Sequence, residues 1–271
     1  RMQAQDYLKS GDVDAALKAL MQAVRDEPHK VENRTFLFQL LAVTGDWNRA
    51  LNQLVVAGEM DSAAIPMVQT YREALSCEAL RAQVFAGSTS PLIFGDPEQW
   101  IALLLESLKL VAGGEMPKAT KLRLQAYEDA PAVAGTVNGE AFEWLADADS
   151  RIGPFFEAVV NGSYYWIPMH RMSKIEVEAP ADLRDLVWLP AQFSWANGGQ
   201  AIGLIPARYP GSESSSEGAI QLSRRTEWSE LDEDTYCGLG QKVMTTDADD
   251  YPLLEIREIV FDIAADNAEQ S

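Results

Sequence analysis

The sequence predicts a multidomain chain of two characters. Stacked helix-turn-helix repeats come first, followed by a small α+β portion with a bent, partly open, barrel-like sheet. Three observations predict this. A glycine, acid, alanine, alanine pattern recurs through the helical segments of the first half. Beyond Pro131 the hydrophobic period shortens from helical to alternating, with Asn-Gly turns between the runs. The charge steps at the same place: residues 1–134 hold 13 bases and 17 acids, a net −4, and residues 135–271 hold 9 bases and 24 acids, a net −15. The expected domains are therefore 1–133 and 134–271.

The repeat begins at Gly11-Asp12, with Ala16 and Ala23 following and Pro28 closing it. It returns 34 residues later at Gly45-Asp46, with Ala50, Ala57 and Ser62. A third copy runs Gly114-Glu115, Ala119, Ala126 and Pro131. A 34-residue period is that of tetratricopeptide-type helix pairs. The glycine supplies the left-handed residue that ends the first helix of a pair. The two alanines lie seven apart on one face of the second helix, where neighbouring helices approach closely. Proline stops that helix. Gly45 and Gly114 are 69 residues apart, about two repeat lengths, so a degenerate unit is expected around residues 65–95.

The helices follow in order. Gln3 to Ser10 is a short first helix. Asp14 to Arg25 carries Ala16, Leu17, Leu20 and Ala23 on one face, and Val31 to Val43 carries Phe36, Leu37, Leu40 and Leu41. Asn48 to Glu59 continues the series, and Ile65 to Phe85 is one long helix or two. Gly87 to Pro91 breaks the pattern, and Leu92 to Pro97 is extended or a turn. Pro97 to Val111 is the next helix, with Asp96 as the expected N-cap.

The second half reads as strands and turns. Gly135 to Phe142 is a hairpin about Asn138-Gly139, and Phe155 to Val160 pairs with Ser163 to Met169 about Asn161-Gly162. Ile175 to Glu178 alternates apolar and acidic residues, as a half-buried strand does. Val187-Trp188, Gln192 to Trp195, Ala201 to Pro206, Arg224 to Trp228 and Gly240 to Thr245 are further strands. Tyr251 to Phe261 is a last strand or strand-helix, and a frayed tail is expected over Ala264 to Ser271.

Composition narrows the function. Hydrophobic residues make up 47 %, enough for a sizeable core, and 41 acids against 22 bases give a net charge of −19. That balance disfavours nucleic acid or an anionic membrane as partner. Cys77 and Cys237 are the two cysteines, far apart, and read as free thiols. No basic-then-apolar segment opens the sequence, and its longest apolar run, Trp100 to Leu105, is too short to span a bilayer. A cytoplasmic location is expected.

His29 and His170 stand in no metal-ligand spacing and read as surface or boundary residues. No phosphate loop or nucleophile elbow is present. The best enzyme-like cluster is Glu143, Asp147, Asp149 and Arg151, where paired carboxylates would hold a divalent metal or act as acid and base. An ion-paired turn explains the same residues, and Asp182, Arg184 and Asp185 read in the same way. Of Trp144, Tyr164, Tyr165, Trp166, Trp188, Trp195 and Trp228, most are expected in the core and the rest as interface anchors. The acid runs Glu230 to Asp234 and Asp247 to Asp250 read as solvated loops.

Several stretches together resemble the ImpE-like family, also called TagJ or SciE, accessory proteins of bacterial type VI secretion systems. They include Phe36 to Leu41, Trp47 to Leu54, Tyr71 to Leu75, Asp147 to Pro154, Asn161 to Pro168, Ala181 to Trp188, Phe193 to Gly199, Pro206 to Gly211 and Arg224 to Trp228. The resemblance implies a helical repeat-like domain followed by an α+β domain. It also implies a cytoplasmic adaptor that binds a helix of the small contractile-sheath subunit and serves sheath assembly or recycling by an AAA+ ATPase. No catalytic motif and no cofactor come with it. A helical repeat offers a concave face to such a helix. The polar candidates on that face are Asn33, Gln39 and Arg72. The alternative reading is a metal-dependent hydrolase built on Asp147 and Asp149.

Overall fold

The computed structural model describes residues 3–263. The tail expected at Ala264 to Ser271 lies outside the described residues. Seven α-helices come first. They are α1 Gln3–Ser10, α2 Val13–Asp26, α3 Val31–Val43, α4 Trp47–Met60, α5 Ile65–Phe85, α6 Gln99–Ala112 and α7 Met116–Asp129, with strand β1, Leu92–Ile93, between α5 and α6.

The recurrent glycine-acid pairs are helix boundaries. Gly11, Gly45 and Gly114 have φ of 81°, 76° and 77°. In each, the glycine N–H donates three residues back and the acid N–H five back: Gly11 to Leu8 at 3.0 Å and Asp12 to Tyr7 at 2.9 Å, for example. This double closure ends one helix. The same acid starts the next: Asp12 accepts from the Ala15 N–H at 3.0 Å and Asp46 from the Arg49 N–H at 3.3 Å. A fourth closure of this form stands at Gly87, φ 78°, which ends α5 in the degenerate region. The α6 start differs from expectation. The helix begins at Gln99, after Pro97, and Glu98 takes the cap position with no side-chain cap bond.

The rest is sheet. The strands are β2 Gly135–Val137, β3 Glu140–Phe142, β4 Leu145–Asp147, β5 Phe155–Val160, β6 Ser163–Pro168, β7 Met172–Val177, β8 Trp188–Trp195 and β9 Gln200–Pro206. A short α8, Gly218–Gln221, precedes β10 Thr226–Asp232, β11 Thr235–Gly240, β12 Val243–Thr246, β13 Asp250–Pro252 and β14 Glu258–Phe261. Asn138-Gly139 and Asn161-Gly162 form the expected hairpin turns, with all four residues at positive φ. The acids read as a loop at Glu230 to Asp234 instead complete a β10–β11 hairpin, turning at Asp234 with φ 55°.

The main sheet has nine strands in the order β1-β6-β5-β9-β8-β7-β14-β2-β3, with β1 parallel to β6 and the remaining pairs antiparallel. It begins at β1 and ends at β3, so it is an open sheet and does not close. The barrel-like form expected from the short strands is corrected. The long β8–β9 hairpin spreads the sheet laterally, and β4 and β10 to β13 are drawn off into separate small sheets.

Both faces of the main sheet are covered. Phe155 and Val159 of β5 pack among the helices, while Phe156, Ala158 and Val160 face a second core with Met244, Leu253 and Ile256. That is why all six residues of β5 are buried. The helical layer meets the sheet through aromatic pairs. Trp188 lies 5.9 Å from Trp47 and 5.9 Å from Tyr71, Phe85 lies 5.6 Å from Trp166, and Trp100 lies 5.3 Å from Phe155. One hydrophobic core therefore joins the two halves of the chain.

Candidate functional site

Most of the inner face of the helical layer is covered by the chain itself. In α3 the residues Leu37 through Val43 are all buried, so this helix has apolar neighbours on every side. One neighbour is the 3-10 turn Leu183–Leu186, whose start is tied by a reciprocal cap between Asp182 and Asp185. Gln39 Oε1 accepts from the Arg184 backbone N–H at 2.9 Å. The Arg184 guanidinium sits 5.0 Å from the Tyr71 ring and 3.0 Å from Asp182. The Trp188 indole N–H donates to Glu78 at 2.9 Å.

The three expected partner-contact residues differ in exposure. Asn33 is 2 % exposed and Gln39 is 7 % exposed, with Gln39 bonded to its own chain, whereas Arg72 is exposed. Leu183 and Leu186, in the segment after β7, pack against the core that the helices share.

The carboxylate cluster is arranged for ion pairing. Asp149 is fully buried and receives Arg151 Nε at 3.0 Å, Arg151 Nη2 at 2.7 Å and the backbone N–H groups of Arg151 and Gly238 at 2.9 Å each. Asp147 accepts from the Tyr209 hydroxyl at 2.7 Å and the Asp149 N–H at 2.9 Å. Burial pushes the Asp147 carboxyl up to about 7, against the pull of Lys242. Glu143 stays at the surface. Among the described residues no group of three or more His, Cys, Asp or Glu could hold a metal ion. His29 is exposed, and His170 is half-buried with Nε2 3.0 Å from Glu98.

A second buried charge cluster escaped the sequence reading. Glu157 lies within β5, fully buried, and takes Arg81 Nε at 2.6 Å and Nη2 at 3.1 Å, together with Lys242 and the Tyr164 hydroxyl. Burial alone would raise its pKa, but Arg81 and Lys242 outweigh that and hold it well below the usual carboxylate range. Arg208, also buried, donates to the carbonyls of Val43 at 2.7 Å and Gln221 at 2.9 Å, and so caps the end of α3. One signal existed: Glu157 is a lone acid inside Phe-Phe-Glu-Ala-Val-Val, a strand otherwise apolar on both faces. These groups are a structural staple between helices and sheet.

A mostly apolar cavity of about 440 Å³ lies where α6, α7 and the 130–133 linker meet the sheet region. Trp100, Tyr127, Trp144, Met169 and Phe261 line it. Trp144 and Trp228 are each 41 % exposed, whereas Tyr164, Trp166, Trp188 and Trp195 are core, and Tyr165 is half-buried.

The comparisons with known proteins agree with one another. Residues 139–260 match the model of the ImpE protein family. The type VI secretion system accessory component TagJ of Pseudomonas aeruginosa strain PAO1 is 50 % identical over 261 residues, spanning 96 % of this chain and 92 % of that protein. The crystal structure of a Vibrio parahaemolyticus protein superposes with a TM-score of 0.86 at 22 % identity, over 97 % of this chain and 99 % of that one. The last likeness is one of fold.

Proposed function

The chain belongs to the ImpE family, and from that premise we propose that it is a non-enzymatic adaptor of the type VI secretion system. On this reading it works in the cytoplasm, binds a helix of the small contractile-sheath subunit and links it to sheath assembly or to recycling by an AAA+ ATPase. The relative's name supports the secretion-system role. The observation that carries the non-enzymatic part is the fate of Asp147 and Asp149. Both are buried, and Asp149 is matched to Arg151 by two hydrogen bonds. A metal would have to displace that guanidinium.

The helix pairs are read here as tetratricopeptide-like repeats whose hollow supports the protein's own sheet. No helix among the described residues is long and apolar enough to cross a membrane. Titration of the full chain with the purified small sheath subunit, followed by calorimetry, tests the proposal. Saturable one-to-one binding is expected. Heats no different from dilution at high micromolar concentration would overturn it.

A further inference from the structure

The cavity between α6, α7 and the sheet region is one of several recesses of comparable volume among the described residues, and its lining is mostly apolar. Asp147, Ser150, His170 and Thr245 are among its walls, and two lining aromatic side chains keep substantial exposure, Trp144 at 41 % and Tyr127 at 36 %. Half-exposed aromatics around a recess are what an interface anchor needs. The Ala132 and Val133 backbone groups at its edge make no hydrogen bond within the described residues. They offer donors and acceptors that suit another backbone better than a wholly apolar small molecule.

Charge says what kind of segment would enter. Glu128 and Asp129 follow Tyr127 on α7, Glu143 precedes Trp144, and Asp247 holds the Glu143 N–H at 2.7 Å. All four are exposed, and none has an ion-pair partner among the described residues. The arginines beside the lining residues are already engaged, Arg151 by Asp149 and Arg171 by Glu98. Asp129 and Glu143 thus adjoin lining residues in the chain and Asp247 is bonded to the Glu143 backbone, so the surface beside the recess carries uncompensated negative charge. Such a surface draws in a cationic segment and repels an anionic one.

We propose that this cavity is the docking site for a protein partner, and that the occupant is a polypeptide segment with a bulky apolar side chain beside lysine or arginine. The inference rests on the adaptor reading and adds a location and a chemistry to it. The apolar side chain enters between Trp100, Trp144 and Phe261. The basic residues meet Asp129, Glu143 and Asp247 at the rim.

The test uses the full chain with three variants. Trp144→Ala removes an anchor wall, Ala132→Trp plugs the mouth from an exposed position, and Glu143→Lys reverses a rim charge. Ile202→Glu, on β9 outside the cavity lining where Ile202 is 78 % exposed, is the control. Circular dichroism and melting curves establish that each is folded. Against the small sheath subunit, Trp144→Ala and Ala132→Trp are expected to weaken binding at least ten-fold. Glu143→Lys should weaken it several-fold, with a smaller salt dependence, and Ile202→Glu should leave it unchanged. Wild-type affinity that survives both cavity variants overturns the site while leaving the adaptor reading intact.

If the sheath subunit does not bind at all, the adaptor reading fails, and a second probe still reads the cavity. A random peptide library displayed on phage is selected against the full chain. Enrichment of aromatic or leucine residues next to Lys or Arg, lost on Ala132→Trp, supports the site. Equal recovery from wild type and Ala132→Trp, or a preference for acidic peptides, overturns it.

Discussion

The guanidinium of Arg81 in α5 and the carboxylate of Glu157 in β5 meet in a two-point ion pair, at 2.6 and 3.1 Å, across the boundary between the helices and the sheet. Both are almost wholly buried. Removing one member strands the other charge in a low-dielectric interior. Arg81→Met is expected to destabilise the protein by about 3–5 kcal/mol, with Lys242 left to pair with Glu157. Chemical denaturation of the full chain measures this, and a loss below about 1 kcal/mol would refute the staple.

The same pair bears on domain independence. Residues 134–271 produced alone would leave Glu157 without Arg81, and would expose Trp166 and Trp188, which are fully buried in the intact chain. That fragment is expected to be aggregated or loosely packed, and residues 1–133 likewise. Sharp, reversible melting of either fragment would show that the boundary separates two self-sufficient domains.

Asp147 sets a pH dependence. Its folded-state carboxyl keeps a proton up to about pH 7. An unfolded aspartate releases it near pH ~3.9. Between those values the folded form binds more protons, so this residue's contribution to stability falls as pH rises and is flat above about 7. Glu157, held low, acts in the opposite sense, and its contribution is lost as pH falls through its depressed folded value. Asp147→Asn keeps an oxygen for Tyr209 and for the Asp149 N–H. It should flatten the slope between those limits and raise stability at pH 8 by up to about 4 kcal/mol, with little change near pH ~4. Melting curves of both proteins across this range are the check.

Gln39 separates the two readings of the helical face. Gln39→Ala removes the acceptor for the Arg184 N–H and is expected to destabilise the fold by about 1–3 kcal/mol. Affinity for the sheath subunit, measured on the folded variant, should not change. A ten-fold loss of affinity with no loss of stability would return the partner to that face.

Metal dependence is the remaining discriminator from a hydrolase. Addition of magnesium, manganese or zinc, or of a chelator, is expected to leave the melting temperature unchanged. A saturable upward shift that Asp149→Asn abolishes would restore the enzyme reading.

What the sequence determined by itself is local. The helix ends at Gly11, Gly45 and Gly114, the caps at Asp12 and Asp46, and the turns at Asn138-Gly139 and Asn161-Gly162 were legible because one or two residues dictate each backbone conformation. Five of the six repeat alanines were legible as buried, since Ala16, Ala50, Ala57, Ala119 and Ala126 are all fully covered, whereas Ala23 is half-buried. What only the tertiary structure decided depends on neighbours far away in sequence. Gln39 meets Arg184 across 145 positions, and Arg81 meets Glu157 across 76. A polar side chain looks the same in the sequence whether it faces a partner or its own chain, because that difference lies in which distant segment covers it. So the helical face was legible but its cover was not, and the ion-paired turn of Asp149 with Arg151 was legible but Tyr209 as the partner of Asp147 was settled by packing.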